Sequence, residues 1–341
     1  MRAEPGLPID GCTFEKEVIR LSSRVISGDA AKSSRRINVV LRTPEPATVS
    51  DPEQQLGGKT VPSQGPFADV MKELDQLVGL DNVKELVYEI YALLQIGQYR
   101  AEAGLAAGQQ VYHMVFKGNP GTGKTTVARI VAKLFQSMGL LQKGHLIEVE
   151  RADLVGEYIG HTALKTRELI KKAMGGILFI DEAYSLARGG EKDFGKEAID
   201  TLVKAMEDHK NQFVLILAGY SDEMDYFLST NPGLPSRFPI AIDFPDYTVD
   251  QLVQIAELMV KEREYTLIPD SVMRLRQLLT AEKNRTLTAF SNARYVRNLM
   301  ERSIRHQAVR LLGQYTTTSP GRQELMSIKP EDMRTEKRSI L

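Results

Sequence analysis

The spacing of apolar and polar positions changes character along the chain. From Phe67, apolar residues recur at helical intervals over Met71–Tyr99, interrupted at Leu77-Val78-Gly79-Leu80-Asp81, where Asp81 is placed to cap the following helix. Five short apolar runs follow, at 111–116, 146–149, 177–180, 213–218 and 240–244. Helical stretches separate them, the clearest being Thr125 to Met138, with Val127, Ile130, Val131, Leu134 and Phe135 on one face. Buried strands alternating with helices predict an α/β fold with a five-stranded, mostly parallel sheet covered on both faces. Beyond 247 only helical spacing remains. Thr248-Val249-Asp250-Gln251 is a capping-box pattern opening a helix to about Glu264, Pro269-Asp270-Ser271 opens another to Ala281, and Ser291 a third to about Leu312. The pattern divides the chain into an α/β domain over 67–247, a small all-helical domain over 248–314 and a weakly ordered tail over 315–341.

Residues 1–66 read differently, as a variable arm and linker. Pro, Ser, Gly and Thr recur through 43–66, which marks a flexible linker; before it Glu15–Ile26 suits a short helix and Ile37–Leu41 a strand. Composition narrows the class. Apolar residues make up 42% and charged ones 26%, as in globular domains with proper cores. Lys+Arg and Asp+Glu both number 44, so no global basic field draws the chain to nucleic acid or anionic membranes. The single Cys12 excludes an internal disulfide. No apolar run approaches the roughly 20 residues that span a bilayer. A cytoplasmic enzyme is the expectation.

Two stretches carry the chemistry. Gly118-Asn119-Pro120-Gly121-Thr122-Gly123-Lys124-Thr125 has the form of a phosphate-binding loop, set between an apolar run and a helix. Glycines let backbone N–H groups converge on an anion, Lys124 adds a charge for the β- and γ-phosphates, and the Thr125 hydroxyl suits Mg2+. The second stretch, Ile177-Leu178-Phe179-Ile180-Asp181-Glu182, is a buried strand ending in two carboxylates. Asp181 is placed to hold the Mg2+ water shell opposite Thr125, and Glu182 to polarise the water attacking the γ-phosphate. ATP and Mg2+ are the expected cofactors. Gly57-Gly58-Lys59-Thr60 echoes such a loop but lacks the first glycine at the right spacing.

With these two sites in order, the chain resembles the AAA+ ATPases, and within them the family of CbbX and stage V sporulation protein K. The resemblance covers roughly 67 to 312 and leans in wording to the sporulation protein. It rests on 113–125, on 151–162, on Asp181-Glu182-Ala183-Tyr184-Ser185-Leu186 and on Phe244-Pro245-Asp246-Tyr247. It implies a phosphate-loop core followed by a helical lid, assembly into a hexameric ring, and remodelling of a client protein coupled to ATP hydrolysis, with a sporulation role or a Rubisco activase-like one. It implies that Tyr158-Ile159-Gly160 lines a central pore, with 188–195 as a second pore element. It implies that Arg237, in Asn231-Pro232-Gly233-Leu234-Pro235-Ser236-Arg237, is an arginine finger acting on a neighbouring subunit. Arg294 resembles the second sensor, reaching the phosphates from the lid, with Arg297 one turn later as alternative bearer. Thr126, Val78 and Gly79 are counted with the nucleotide-binding set. The first sensor departs from the family pattern: Tyr220 or Ser221 stands where a polar Asn or Thr is usual.

Rival classes fit less well. Asp153-Leu154-Val155-Gly156 matches the D-x-x-G of GTPases, but no N-K-x-D sequence occurs to read guanine. A nucleic-acid motor lacks its basic and aromatic ladder. A non-catalytic scaffold would be expected to lose Lys124, Asp181, Glu182 or Arg237, and all four are present. Histidines 113, 145, 161, 209 and 306 show no metal-ligand spacing, and His161 reads as a loop residue.

Overall fold

Ile177 and Phe179 face one side of a sheet and Leu178 and Ile180 the other, and all four are buried. Burial on both faces is the environment that a continuous run of Ile, Leu and Phe requires. The computed structural model describes residues 55–56, 59–60, 66–106, 110–158, 160–188, 193–285, 290–316 and 318–334. At its centre are β1 (Met114–Gly118), β2 (Leu146–Val149), β3 (Ile177–Ile180), β4 (Val214–Gly219) and β5 (Ile240–Phe244). Their order is β2-β3-β4-β1-β5, and every neighbouring pair is parallel. The expected α/β architecture is therefore present, with β1 inside the sheet and its carboxyl end at the phosphate loop.

Helices α1 (Pro66–Asp75), α2 (Asp81–Glu102) and α3 (Lys124–Ser137) share one core with Met114, Phe116, Phe179 and Ile216. On the opposite face α4 (His161–Ala173), α5 (Gly195–Asp208) and α6 (Ser221–Thr230) pack on Val115, Leu178 and Leu215. Three local expectations change. The first strand was expected from 111, yet β1 opens at Met114, because the buried His113 ring accepts the Leu215 N–H through Nδ1 at 3.0 Å. A side chain there does what strand backbone would otherwise do. Asp81 does not cap α2: Leu80 precedes the helix with φ +60°, makes no side-chain cap and is buried among the core residues. His161 opens α4 rather than lying in a loop.

The helical region follows the sheet as α7 (Val249–Lys261), α8 (Pro269–Arg285) and α9 (Asn292–Gln314). The Thr248 capping box forms in full: its side chain accepts from Gln251 N–H at 3.2 Å, and Gln251 Oε1 accepts from Thr248 N–H at 2.8 Å. The segment expected to be a weakly ordered tail is structured up to 334. Arg322–Met326 is a short helix, and Ser327–Ile328 pairs in parallel with Thr266–Leu267, so this region is not purely helical. Asp332, 1% exposed, holds Arg310 of α9 through two bonds of 2.8 and 2.9 Å. Within the stretch expected to be linker, Gln55–Leu56 pairs antiparallel with Lys59–Thr60. The helix and strand expected at 15–26 and 37–41 lie outside the described residues.

Candidate functional site

The loop leaving β1 turns sharply because glycine permits it. Gly121 has φ +74°, and a Cβ there would lie 2.4 Å from the Ser291 carbonyl oxygen, at the threshold of α9. Gly123 precedes α3 with φ +101°, so the first amides of α3 face the loop's concavity. Lys124 opens the helix, and its ammonium donates to the carbonyls of Gly118 at 2.7 Å and Asn119 at 2.8 Å. Burial lowers its pKa; the charge of Arg294 acts in the same sense, while Asp181, Asp246 and Glu182 oppose it. Those four charges therefore all act on the lysine.

Asp181 and Glu182 stand where β3 ends. The Asp181 N–H donates to the Val149 carbonyl at 3.0 Å, and its Oδ1 accepts the Glu182 N–H at 3.0 Å. Glu182 sits in the left-handed region, φ +48°, a conformation that costs a non-glycine residue on the order of 1 kcal/mol. That turn carries the chain into the short helix Ala183–Ala187 and buries Tyr184 beside it. Burial, then the nearby charge of Glu182, pushes the Tyr184 hydroxyl up to about 12.

A cleft of about 950 Å3 brings together Lys124, Thr125, Thr126, Asp181, Glu182 and Arg294, with Arg297 beside them. Gly118, Pro120, Gly121 and Gly123 form its floor. Of the two first-sensor candidates, Tyr220 lines this cleft and Ser221 does not. Beyond Gly121 and Gly123 a second cleft of about 600 Å3 opens between Val78, Leu80, Tyr247, Ile255 and Met259. Gly79 lines neither cleft; a Cβ on it would lie 2.5 Å from Gln251 Nε2.

Other expected site residues lie elsewhere. The side chains of Asn119 and Thr122 serve the loop itself: Thr122 Oγ1 donates to the Asn119 carbonyl at 2.8 Å, and Asn119 Nδ2 donates to Asp246 at 3.0 Å. Arg237 does not line the cleft. Its guanidinium donates to the Gly233 carbonyl at 2.6 Å and pairs with Glu207. Tyr158 is 65% exposed, with its ring edge-on to that of His161 at 5.4 Å, and Gly160 turns into α4 with φ +81°. Ile159 and 189–192 lie outside the described residues.

Sequence reasoning passed over several residues. Glu148 accepts from Thr125 Oγ1 at 3.3 Å and from Arg129 at 3.2 Å. Arg151 lines the cleft and is fixed by Ser185 and Asp193, both at 2.6 Å. Asn292 is wholly buried with φ +42°, and it ties Asp246 and Tyr247 to the loop. Asn292 opens the Asn292-Ala293-Arg294 stretch at the start of the third predicted helix, but nothing local marks its side chain as a tie to Asp246. Among the described residues no cluster of His, Cys, Asp and Glu could hold a metal by itself.

Two family models match the chain. Residues 114–246 match the family described as "ATPase family associated with various cellular activities (AAA)", and 248–340 match the AAA lid domain. The chain is 56% identical over 309 residues to stage V sporulation protein K of Bacillus subtilis, covering 89% of this chain and 94% of that one. It is 46% identical over 268 residues to protein CfxQ of Xanthobacter flavus, covering 78% and 83%. To the chloroplastic ribulose bisphosphate carboxylase/oxygenase activase of Cyanidioschyzon merolae it is 42% identical over 292 residues, covering 84% and 97%.

Proposed function

The chain belongs to the AAA+ ATPases that carry an AAA lid domain, and on that premise we propose that its nucleotide-binding and ATP-hydrolysing site is completed by a second copy in a ring. The observation that carries this is the position of Arg237. Lys124, Asp181, Glu182 and Arg294 converge on one cleft, while Arg237 is held outside it by Gly233 and Glu207. A guanidinium there can reach a γ-phosphate on a neighbouring subunit, where it stabilises the charge of phosphoryl transfer. A closed ring, of hexameric order in this reading, follows from such a head-to-tail contact.

Within one subunit the roles divide by chemistry. Amides of 118–126 and the Lys124 ammonium bind phosphate oxygens, and Glu182 takes the proton of the attacking water. Arg294 places a second cation over the phosphates from the lid. Val78 and the apolar second cleft border the base in this reading, and Gly79, outside both clefts, turns the chain beside Val78 with φ +63°. The oxygens of Thr125 and Asp181 are hard donors lining the same cleft, and the Asp181 carboxylate accepts one backbone N–H, so these two residues would hold a Mg2+ ion that keeps part of its water shell. When bound, Mg2+ neutralises charge on the β- and γ-phosphates. The core spans 67–247 and the lid runs from 248 at least through 334.

Tyr158, Ile159 and Gly160 line the pore in this reading, and the exposed Tyr158 supports it, because an aromatic at an open loop gives sequence-tolerant contact with an extended chain. The client in this reading is another protein, with the cytoplasm as the expected compartment and neither nucleic acid nor membrane an expected partner. Among the described residues no helix is long and apolar enough to cross a membrane. A role in spore maturation is supported by 56% identity to the sporulation protein, against 42% to the Rubisco activase.

Glu182→Gln is expected to retain ATP binding and to hydrolyse at least ~100-fold more slowly, the scale of lost general-base help; unchanged turnover overturns the assignment. Arg237→Ala alone and Lys124→Ala alone should both be inactive. Mixing them should restore turnover, and no recovery at any ratio refutes the shared site. Capture with the Glu182→Gln variant in ATP then separates a spore protein from Rubisco as client.

A further inference from the structure

The outer face of the phosphate loop is held by one hydrogen-bonded network, and its hub is a carboxylate. Asp246 lies just past β5, where the core hands over to the lid. Asn119 of the loop donates to both its oxygens at 3.0 Å. From the lid side, Asn292 Nδ2 donates to Asp246 Oδ1 at 2.7 Å and to the Phe290 carbonyl at 2.9 Å. Asn292 Oδ1 accepts the Tyr247 N–H at 3.0 Å, and the Tyr247 hydroxyl donates to the Thr122 carbonyl at 3.0 Å. The Ala293 N–H closes the circuit on the Gly121 carbonyl at 3.1 Å.

Two facts give this network a purpose beyond holding the fold together. Asn292 is buried in the left-handed region, which for a side chain other than glycine's is retained against a cost. Glycine would meet the backbone demand more cheaply, so the amide must supply something glycine cannot. Secondly, Arg294 follows two residues later, and among the described residues no hydrogen bond or ion pair is recorded for its guanidinium; its position in the cleft is set by where α9 begins. The start of α9 is fixed to the loop through Asp246, and the charges of both Asp246 and Arg294 reach Lys124.

We propose that Asp246 and Asn292 are positioning residues for hydrolysis: Asp246 locks the lid to the phosphate loop through Asn292 and Asn119, so that the Arg294 guanidinium is set against the γ-phosphate when the loop holds it. This rests on the reading of Arg294 as a phosphate-contacting residue. The charged acceptor suits the role, because hydrogen bonds to a carboxylate are about twice as strong as neutral ones and keep their geometry under load.

The test is a double-mutant cycle on the full chain, read as ATPase kcat and KM beside Tm. Asp246→Asn and Asn292→Gly are each expected to lower kcat by about 10-fold to 100-fold, the scale at which misplacing an oriented group costs catalysis, with KM changed less than about 3-fold. Asn292→Gly keeps the left-handed turn, so a merely conformational role for Asn292 predicts wild-type kcat. In the Arg294→Ala background neither substitution should lower kcat further. Independent, multiplicative losses there refute the positioning role while leaving Arg294 as assigned. Wild-type turnover of Arg294→Ala itself overturns both readings.

Discussion

Replacing His113 by Asn removes a buried titrating group while keeping an acceptor for the Leu215 N–H, because the amide oxygen can take the place of Nδ1. In the wild type the imidazole lies between the rings of Phe213 and Phe238, 5.8 and 6.1 Å away, and burial lowers its pKa from 6.5 to about 4. The folded value lies below the unfolded one, so the unfolded chain binds the proton more tightly. Stability from the neutral ring is therefore complete above the unfolded pKa and is lost as pH falls through the window from 6.5 to about 4. At about 1.36 kcal/mol per pKa unit, the full shift corresponds to about 3.4 kcal/mol, of which about 2 kcal/mol is already lost near pH 5. Urea unfolding followed by circular dichroism near pH 7.5 and near pH 5 measures it. The wild type should lose about 2 kcal/mol more than His113→Asn across that step, since the other histidines contribute to both proteins equally. Equal losses would show that the ring is not a buried neutral group.

Two further outcomes follow from contacts already described. Asp332→Ala strips the nearly buried Arg310 of its two-point partner, though Glu324 and Glu331 remain near it, and should cost about 3 kcal/mol, the lower end for a broken buried pair; an unchanged Tm would mean that residues beyond 315 do not support the lid. Gly121→Ala places a methyl group 2.4 Å from the Ser291 carbonyl and should lower ATPase activity by more than ~10-fold. Gly139→Ala, at a similar φ of +73° but with nothing within 4 Å, carries the same backbone strain and should leave activity near wild type. Equal effects of the two on steady-state turnover would place the harm in strain rather than in the loop–lid contact.

Local pattern was enough for the framework. The continuous apolar run of β3 appears as the sequence pattern predicts, since a strand buried on both faces selects Val, Ile, Leu and Phe, while the edge strands β2 and β5 each carry an exposed carboxylate, Glu148 and Asp243. The capping box at Thr248 and the phosphate loop are equally local, because each is a set of backbone groups satisfied within a few residues. Asp181 and Glu182 were legible for the same reason: a carboxylate pair directly after a buried apolar strand emerges where that strand leaves the sheet, at its carboxyl end.

Tertiary structure decided the rest, wherever a side chain stands in for backbone or pairs with a residue far along the chain. His113 shortened the first strand by bonding to Leu215, and Leu80 took the turn before α2 because its side chain belongs to the core. The last described segment reads as a polar tail until Asp332 is seen inside the lid against Arg310. Asp246 and Asn292 stand 127 and 46 residues from the partners they hold, Asn119 and Asp246. No periodicity or spacing can announce such a contact, because its geometry exists only after the sheet, the loop and the lid have come together.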